Sequence, residues 1–213
     1  IGLQIVPHKS LLFPTAHDEP WIHFGIFRSL FNLPRGFIFN SPEEERLVRR
    51  LFHNRHIPGV VLGVGIDTPV PPPIPTLGEP YLLYLGRIDE SKGCRELFAY
   101  FLRYKAESGD PVMPSPYESL SLVTLEAWAL GRPVLLNGQA DVLKGQAHRS
   151  HGGLVYHSAE EFVEALRLLR TEPKLARRLG EQGRRYVETT YRWSKIVAQY
   201  IAFLRSIRAT NDR

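Results

Sequence analysis

Two glutamates, Glu118 and Glu126, lie eight residues apart at the start of an apolar segment that predicts a helix over residues 120–130. Glu118 falls in the loop before this helix, and Glu126 falls two turns into it. The first turn of a helix offers free backbone N–H groups and a positive dipole end, which suit a phosphate or another anion. The two carboxylates could accept hydrogen bonds from sugar hydroxyls. The alternative is a capping loop with one buried or surface glutamate.

A second pair of candidate residues, Arg87 and Lys92, follows the apolar residues 81–85, which predict a buried strand. Ligands of open α/β sheets bind beyond the carboxyl ends of the strands. There, Arg87 could hold a diphosphate with its forked guanidinium, and Lys92 could act as a point charge. The alternative is a surface loop whose cations pair with Asp89 and Glu90.

The third candidate, His17, follows a predicted first strand over residues 10–13. A histidine at this place can donate to a substrate oxygen or act as an acid or base. The alternative is a histidine that is satisfied within a turn. The sequence contains no Ser-His-Asp order, no Cys-His pair and no phosphate-binding P-loop signature. It also has no Asp-x-Asp pair of the kind that holds a divalent metal against a diphosphate, so no metal is expected.

The elements that must position these residues are short apolar strands alternating with helices. Strands are predicted at residues 10–13, 36–39, 60–64, 81–85, 132–136 and 153–156. Helices are predicted at residues 21–31, 42–52, 93–105, 120–130, 159–170, 172–188 and 193–207. This alternation predicts an α/β fold with parallel sheets.

The last predicted helix carries a regular apolar stripe, which we expect to be mostly buried against another element. The stripe consists of Trp193, Ile196, Val197, Tyr200, Ile201 and Leu204.

Composition and charge narrow the class of protein. The chain has 213 residues, of which 43% are hydrophobic and 23% charged, as in globular proteins. A single cysteine excludes a disulfide framework, and no apolar run approaches the roughly 20 residues of a membrane span. No leader segment is recognisable, so a cytoplasmic location is expected.

The net charge of +5 comes from the C-terminal quarter, because residues 161–213 hold twelve Lys and Arg against six Asp and Glu. Such an excess suits a nucleic acid, an anionic membrane surface or an acidic substrate, or it is a solvated helix face. No stacking aromatic residues alternate with these arginines, so nucleic acid is not the expected partner.

A proline-rich segment over residues 67–80, with six prolines, predicts the domain boundary. It separates a first domain, residues 1–66, from a second domain, residues 81–190, and residues 191–213 form a C-terminal helix. After the helix at 93–105 another strand is due, but the sequence runs directly through Gly109–Pro111 into a segment that is too short. We therefore expect a missing segment near residues 109–111.

Taken together, these segments resemble the family 4 retaining glycosyltransferases. The most specific likeness is the glutamate pair followed by Glu126-Ala-Trp-Ala-Leu-Gly-Arg-Pro-Val134, and the second is Leu85-Gly-Arg-Ile-Asp-Glu-Ser-Lys-Gly93. Thr15-Ala-His-Asp18, Val64-Gly-Ile-Asp67 and Tyr191-Arg-Trp-Ser194 also fit. The resemblance implies the glycosyltransferase-B fold, in which two Rossmann-like domains face each other across a cleft. Both domains are expected to be incomplete here, and the last helix is expected to pack towards the first domain.

The resemblance also implies a role for each candidate residue. Arg87 and Lys92, beside Gly86, would bind the donor diphosphate and stabilise the leaving group. Glu118 would contact the transferred sugar, Glu126 would accept from the ribose hydroxyls, and His17 would lie near the anomeric carbon. Backbone amides would hold the sugar and phosphate at Ser119, Leu120, Ser121 and Leu122. The family usually has glycines where this chain has Ser119 and Ser121, which narrows the backbone freedom of the loop.

The implied reaction moves a sugar from a UDP- or GDP-linked donor to a saccharide or lipid-linked acceptor, in glycoconjugate or polysaccharide synthesis. It needs no cofactor or metal, and it allows a peripheral contact at the inner face of a membrane. The rival hypothesis is a non-catalytic nucleotide- or carbohydrate-binding module derived from the same fold. The complete set of Arg87, Lys92, Glu118 and Glu126 argues for the enzyme.

Overall fold

The computed structural model describes residues 2–67, 93–107 and 120–209. Within them, contacts divide the chain into two units. The first comprises residues 2–65 and 193–209, and the second comprises residues 66–67, 93–107 and 120–192. Most of the predicted linker, the strand predicted at 81–85 and the expected break near 109–111 lie outside the described residues.

The first unit contains a parallel three-stranded sheet, as the sequence predicts. Its strands are β1 (Leu11–Leu12), β2 (Gly36–Phe39) and β3 (Gly59–Val61), in the order β1-β2-β3. Leu11 lies opposite Gly36, and Phe37 lies opposite Gly59. β3 ends three residues before the predicted Val64, because Gly63 adopts a φ of 71°, which turns the chain away from the sheet.

Helices α1 (Gly2–Ile5), α2 (Gly25–Leu30) and α3 (Pro42–Phe52) belong to the same unit. The prediction of α3 is confirmed: the Ser41 hydroxyl accepts from the Glu44 amide at 3.1 Å. The single helix predicted over residues 21–31 is wrong, because extended backbone at Phe24 separates a 3₁₀ helix, Pro20–His23, from α2. Further 3₁₀ structure lies at Pro7–Lys9.

Aromatic rings form the centre of this unit. The rings of Phe31 and Phe52 stack 4.2 Å apart, and those of Phe37 and Phe39 stack 5.3 Å apart. The Arg49 guanidinium lies over both rings of β2, at 5.3 Å and 5.2 Å. This cluster fixes α3 against β2.

Helix α9 (Trp193–Ala209) packs against the other face of the sheet, but not with the predicted stripe. Its buried residues are Ile196, Phe203 and Ile207, and the last two join Ile38 and Leu62 in a second apolar cluster. Apart from Ile196, the predicted stripe is 37–46% exposed, so that prediction is wrong: Trp193, Val197, Tyr200, Ile201 and Leu204. The apolar arc of α9 is wider than its contact with the sheet, and the contact lies on one side of that arc.

This geometry predicts which residue of α9 stabilises the first unit. We expect Phe203→Ala to lower the free energy of unfolding by about 3 kcal/mol, because the ring is 9% exposed within an apolar cluster. Tyr200→Ala, on the exposed side of the same helix, should cost less than about 1 kcal/mol. Urea unfolding followed by circular dichroism would compare them, and equal losses would contradict the observed packing.

The second unit contains a parallel pair of strands, β4 (Val134–Asn137) and β5 (Gly153–Tyr156). Its helices are α4 (Cys94–Glu107), α5 (Leu122–Ala129), α6 (Asp141–Ser150), α7 (Ala159–Thr171) and α8 (Pro173–Thr190). The predictions of β5, α7 and α8 are confirmed. The sequence did not indicate α6, because its buried face includes the polar residues Gln146 and Ser150 and no regular apolar stripe marks it.

Helices α5 and α8 pack against each other around Trp128. The Trp128 ring is fully buried, and its Nε1–H donates to the Gly152 carbonyl at 2.8 Å. Gly183 on α8 lies directly against the indole, and a Cβ atom there would collide with the ring. This contact fixes the helix that carries the predicted donor motif.

Candidate functional site

The first predicted site element, the start of α5, is placed by a serine cap. The helix begins at Leu122, two residues later than predicted, and Ser121 is its N-cap. The Ser121 hydroxyl accepts from the Thr124 amide at 3.4 Å and from the Thr124 hydroxyl at 2.9 Å. Leu120 and Ser121 are buried. The cap occupies the Thr124 amide and the Ser121 carbonyl accepts from the Leu125 amide, so the N–H groups of Leu122 and Val123 are those of the first turn that could bind an anion.

Glu126 lies on the exposed side of α5. Leu122, Glu126 and Leu130 are all exposed and follow one another at intervals of four residues, whereas Leu125, Trp128 and Ala129 form the buried side. The carboxylate is accessible one turn beyond the start of the helix. An accessible acceptor at this place can bind hydroxyl groups of a ligand.

The remaining predicted donor-site residues lie outside the described residues. They are Gly86, Arg87, Lys92, Glu118 and Ser119. The grouping of these residues with Glu126 around one ligand therefore stays a prediction.

His17 lies in the first unit, in the loop that follows β1. Its Nε2 atom is 2.8 Å from Glu19 Oε1, and its Nδ1 atom is 3.3 Å from the Thr15 carbonyl oxygen. The side chain is about one-third exposed. Thr15 has a φ of 48°, which is rare for a β-branched residue and persists only where surrounding contacts impose it.

Sequence reasoning missed Glu44, whose carboxylate joins this loop to the sheet. One oxygen accepts from the Ala16 amide at 2.5 Å, and the other accepts from the Asn40 amide at 2.6 Å. The side chain is only 1% exposed. The available signal was Ser41-Pro-Glu-Glu44, which has the spacing of a capping box, although here the glutamate reaches Asn40 instead of the cap residue.

Burial raises the pKa of Glu44 from 4.5 to about 7, against the opposing effects of the Asn40 and Ala16 hydrogen bonds and of His17. The folded protein therefore binds this proton between about pH 4.5 and 7, where the unfolded chain has released it. We expect this group to make the folded state progressively less stable as the pH rises through that window. The total change is about 3 kcal/mol, and it is complete above pH 7.

The measurement is urea unfolding at pH 4.5, 6 and 7.5 for the parent protein and for Glu44→Gln. As the pH rises, the unfolding free energy of the parent should fall relative to that of Glu44→Gln. Glu43→Gln, at the next position of α3, should keep the slope of the parent. A difference between parent and Glu44→Gln that is constant across this range would contradict the raised pKa.

Comparison with known proteins gives these residues a context. Residues 110–202 match a family model described as glycosyl transferase-like, and this range contains Glu118 and Glu126. Alpha-maltose-1-phosphate synthase of Mycobacterium tuberculosis is 30% identical over 105 residues, which make up 46% of this chain and 27% of that protein. The curated relatives that the chain matches are aligned over only 22% to 27% of their own length.

Solved structures resemble the chain more broadly. Sucrose-phosphate synthase from Thermosynechococcus elongatus has a TM-score of 0.71 and 21% identity, over 87% of this chain and 61% of that one. HepE of Anabaena, in complex with UDP and glucose, has a TM-score of 0.77 and 13% identity, over 92% of this chain and 71% of that one.

These neighbours have the glycosyltransferase-B fold, so the predicted α/β fold of that type, with Rossmann-like parallel sheets, is confirmed. The family match adds a sequence likeness to glycosyl transferases over residues 110–202, which is less than half of the chain. Among the described residues, no helix combines the length and the apolar character needed to cross a membrane.

Proposed function

We propose that the protein is a retaining glycosyltransferase that transfers a sugar from a nucleoside diphosphate sugar to a saccharide or lipid-linked acceptor. The observation that carries the proposal is the glycosyl transferase-like match over residues 110–202, because it includes the glutamate motif around α5. HepE, a structural neighbour, was solved with UDP and glucose, which supports a nucleotide-linked sugar as donor, and we propose UDP or GDP as its nucleotide. We propose that this reaction belongs to glycoconjugate or polysaccharide synthesis in the cytoplasm, with a peripheral contact of the protein at the inner face of a membrane.

In the proposed reaction the bond between the anomeric carbon and the diphosphate breaks, and its electron pair stays on the phosphate oxygen. The acceptor hydroxyl forms a new bond to the same face of that carbon, and its proton passes to the donor's phosphate oxygen. Arg87 and Lys92 stabilise the charge on the departing diphosphate. Glu118 contacts the sugar, Glu126 holds the ribose and His17 acts beside the anomeric carbon, so their main contribution is to position the reactants.

Turnover and binding together test this proposal. Release of nucleoside diphosphate from UDP-glucose and other UDP- and GDP-linked sugars should depend on an acceptor. Nuclear magnetic resonance of the product should show that the anomeric configuration of the donor is retained. Binding of a nucleotide sugar without release would instead support the non-catalytic module. No binding of any donor by calorimetry would overturn both.

Glu126 gives a separate prediction about donor affinity. We expect Glu126→Ala to weaken binding of the nucleotide sugar by about 1–3 kcal/mol, because ribose hydroxyls lose a charged acceptor. The dissociation constant from calorimetry should then rise roughly 5-fold to 150-fold. Glu181→Ala, which removes an exposed carboxylate from α8 in the same unit, is the control and should leave affinity unchanged. Equal affinities of both variants for the donor would show that Glu126 is not part of the donor site.

A further inference from the structure

The Glu44 carboxylate lies between two segments that are distant in sequence, and both donate a backbone N–H to it. Ala16, 28 residues away, directly precedes His17, and Asn40 directly follows β2. We propose that Glu44 is a positioning residue that fixes the backbone beside His17, so that the imidazole is held for its role at the sugar. This inference rests on the proposed function.

The backbone of Glu44 is held in place by the cap of α3. Its amide donates to the Ser41 hydroxyl at 3.1 Å, so the residue is anchored in the first turn of α3. At a pH above its pKa of about 7 the buried carboxylate is ionised, and it then makes two charge-assisted hydrogen bonds, which are stronger than bonds between neutral groups. The aromatic core beneath α3 gives the carboxylate a fixed position from which it can orient the loop.

The loop needs such an anchor, because Thr15 holds a left-handed conformation next to Ala16. Backbone of this kind is strained in a residue with a side chain, and it persists only where surrounding contacts impose it. The bonds of His17 to Thr15 and Glu19 lie within the loop, so these two bonds hold the ring relative to the loop. The ion pair of Asp18 with Arg50 on α3, at 3.1 Å, also reaches out of the loop, but it is exposed and therefore weak.

The decisive variant is Glu44→Gln, which keeps the size of the side chain. The side-chain oxygen of glutamine can accept from one of the two backbone N–H groups, but its NH₂ group is itself a donor and faces the other N–H. We expect hydrogen exchange of the Ala16 or Asn40 amide to become at least tenfold faster. In turnover, kcat should fall at least tenfold while the KM for the donor changes less than threefold. Glu43→Gln is the matched control: that buried neighbour pairs outward with Arg46 at 3.0 Å, so both measurements should stay within twofold of the parent.

A double-variant comparison separates positioning from general damage to the fold. In a His17→Ala background, Glu44→Gln should change kcat less than twofold, because the residue that it positions is gone. If Glu44→Gln does not fold, Glu44→Asp replaces it, since it keeps the charge but cannot reach both amides at the same distance. Unchanged exchange of both amides, or the same loss of kcat in both backgrounds, would overturn the inference.

The outcome is also separable from that of the proposed function. A parent protein without any transfer activity would overturn the proposed function and the catalytic part of this inference. Amide exchange at Ala16 and Asn40 needs no substrate, so it would still show whether Glu44 fixes the loop.

Discussion

Lys92→Ala is expected to lower kcat at least a hundredfold while changing the KM for the donor only a few-fold. Negative charge grows on the diphosphate as its bond to the sugar breaks, so a cation there stabilises the transition state more than the bound donor. Loss of one such preorganised charge typically costs two to three orders of magnitude in rate. Initial rates of nucleoside diphosphate release, measured over a range of donor concentrations, separate kcat from KM.

Lys174→Ala, at the exposed start of α8, is the control for loss of a positive charge and should leave both constants unchanged. A rise in KM with an unchanged kcat would show that Lys92 binds donor and transition state equally. No effect on either constant would remove Lys92 from the site.

Trp128→Ala is expected to lower the free energy of unfolding by about 3–5 kcal/mol. The variant leaves a large cavity between α5 and α8 and removes the shorter of two hydrogen bonds to the buried Gly152 carbonyl, which also accepts from the Val134 amide at 3.4 Å. For a chain of this length, that loss corresponds to a fall in Tm of roughly 10 °C. Thermal unfolding followed by circular dichroism measures it.

Trp21→Ala is the matched control, because Trp21 is 63% exposed and should cost less than about 1 kcal/mol. Gly183→Ala supplies a second comparison. It should be strongly destabilising in the parent, where the new methyl group meets the indole, and much less so once Trp128 is alanine. Additive effects of the two substitutions would contradict the close packing of α5 on α8.

The sequence predicted most of the local structure, because local signals were strong there. Ser41 and Pro42 marked the start of α3, and the bounds of β2 and β5 agree with the structure. α6 was missed because two of its buried residues, Gln146 and Ser150, are polar. The prediction of which side of α9 is buried was wrong. A helical stripe shows which residues are apolar, whereas the shape of the sheet decides which of them the sheet covers.

The candidate site was predictable to a different degree. The motif around α5 could be recognised from residue types and spacing, and a helix start does lie there, with Glu126 exposed. The role proposed for Glu44 could not be assigned from sequence, because it depends on a hydrogen bond from the amide of Ala16, 28 residues away. A hydrogen bond of that range leaves no periodic signal in the chain.

The first unit is assembled from both ends of the described chain, and this order matters during synthesis on the ribosome. Ile38 and Leu62 reach their partner Phe203 only after all of the second unit has been translated. At about 5–20 residues per second, the intervening 127 residues take roughly 6 to 25 s. Throughout that interval the apolar sheet face of the first unit lacks α9, and at its end the second unit can close on itself before the first unit does. Closure of the first unit is therefore a late, long-range step, of the kind that slows folding and gives chaperones time to bind.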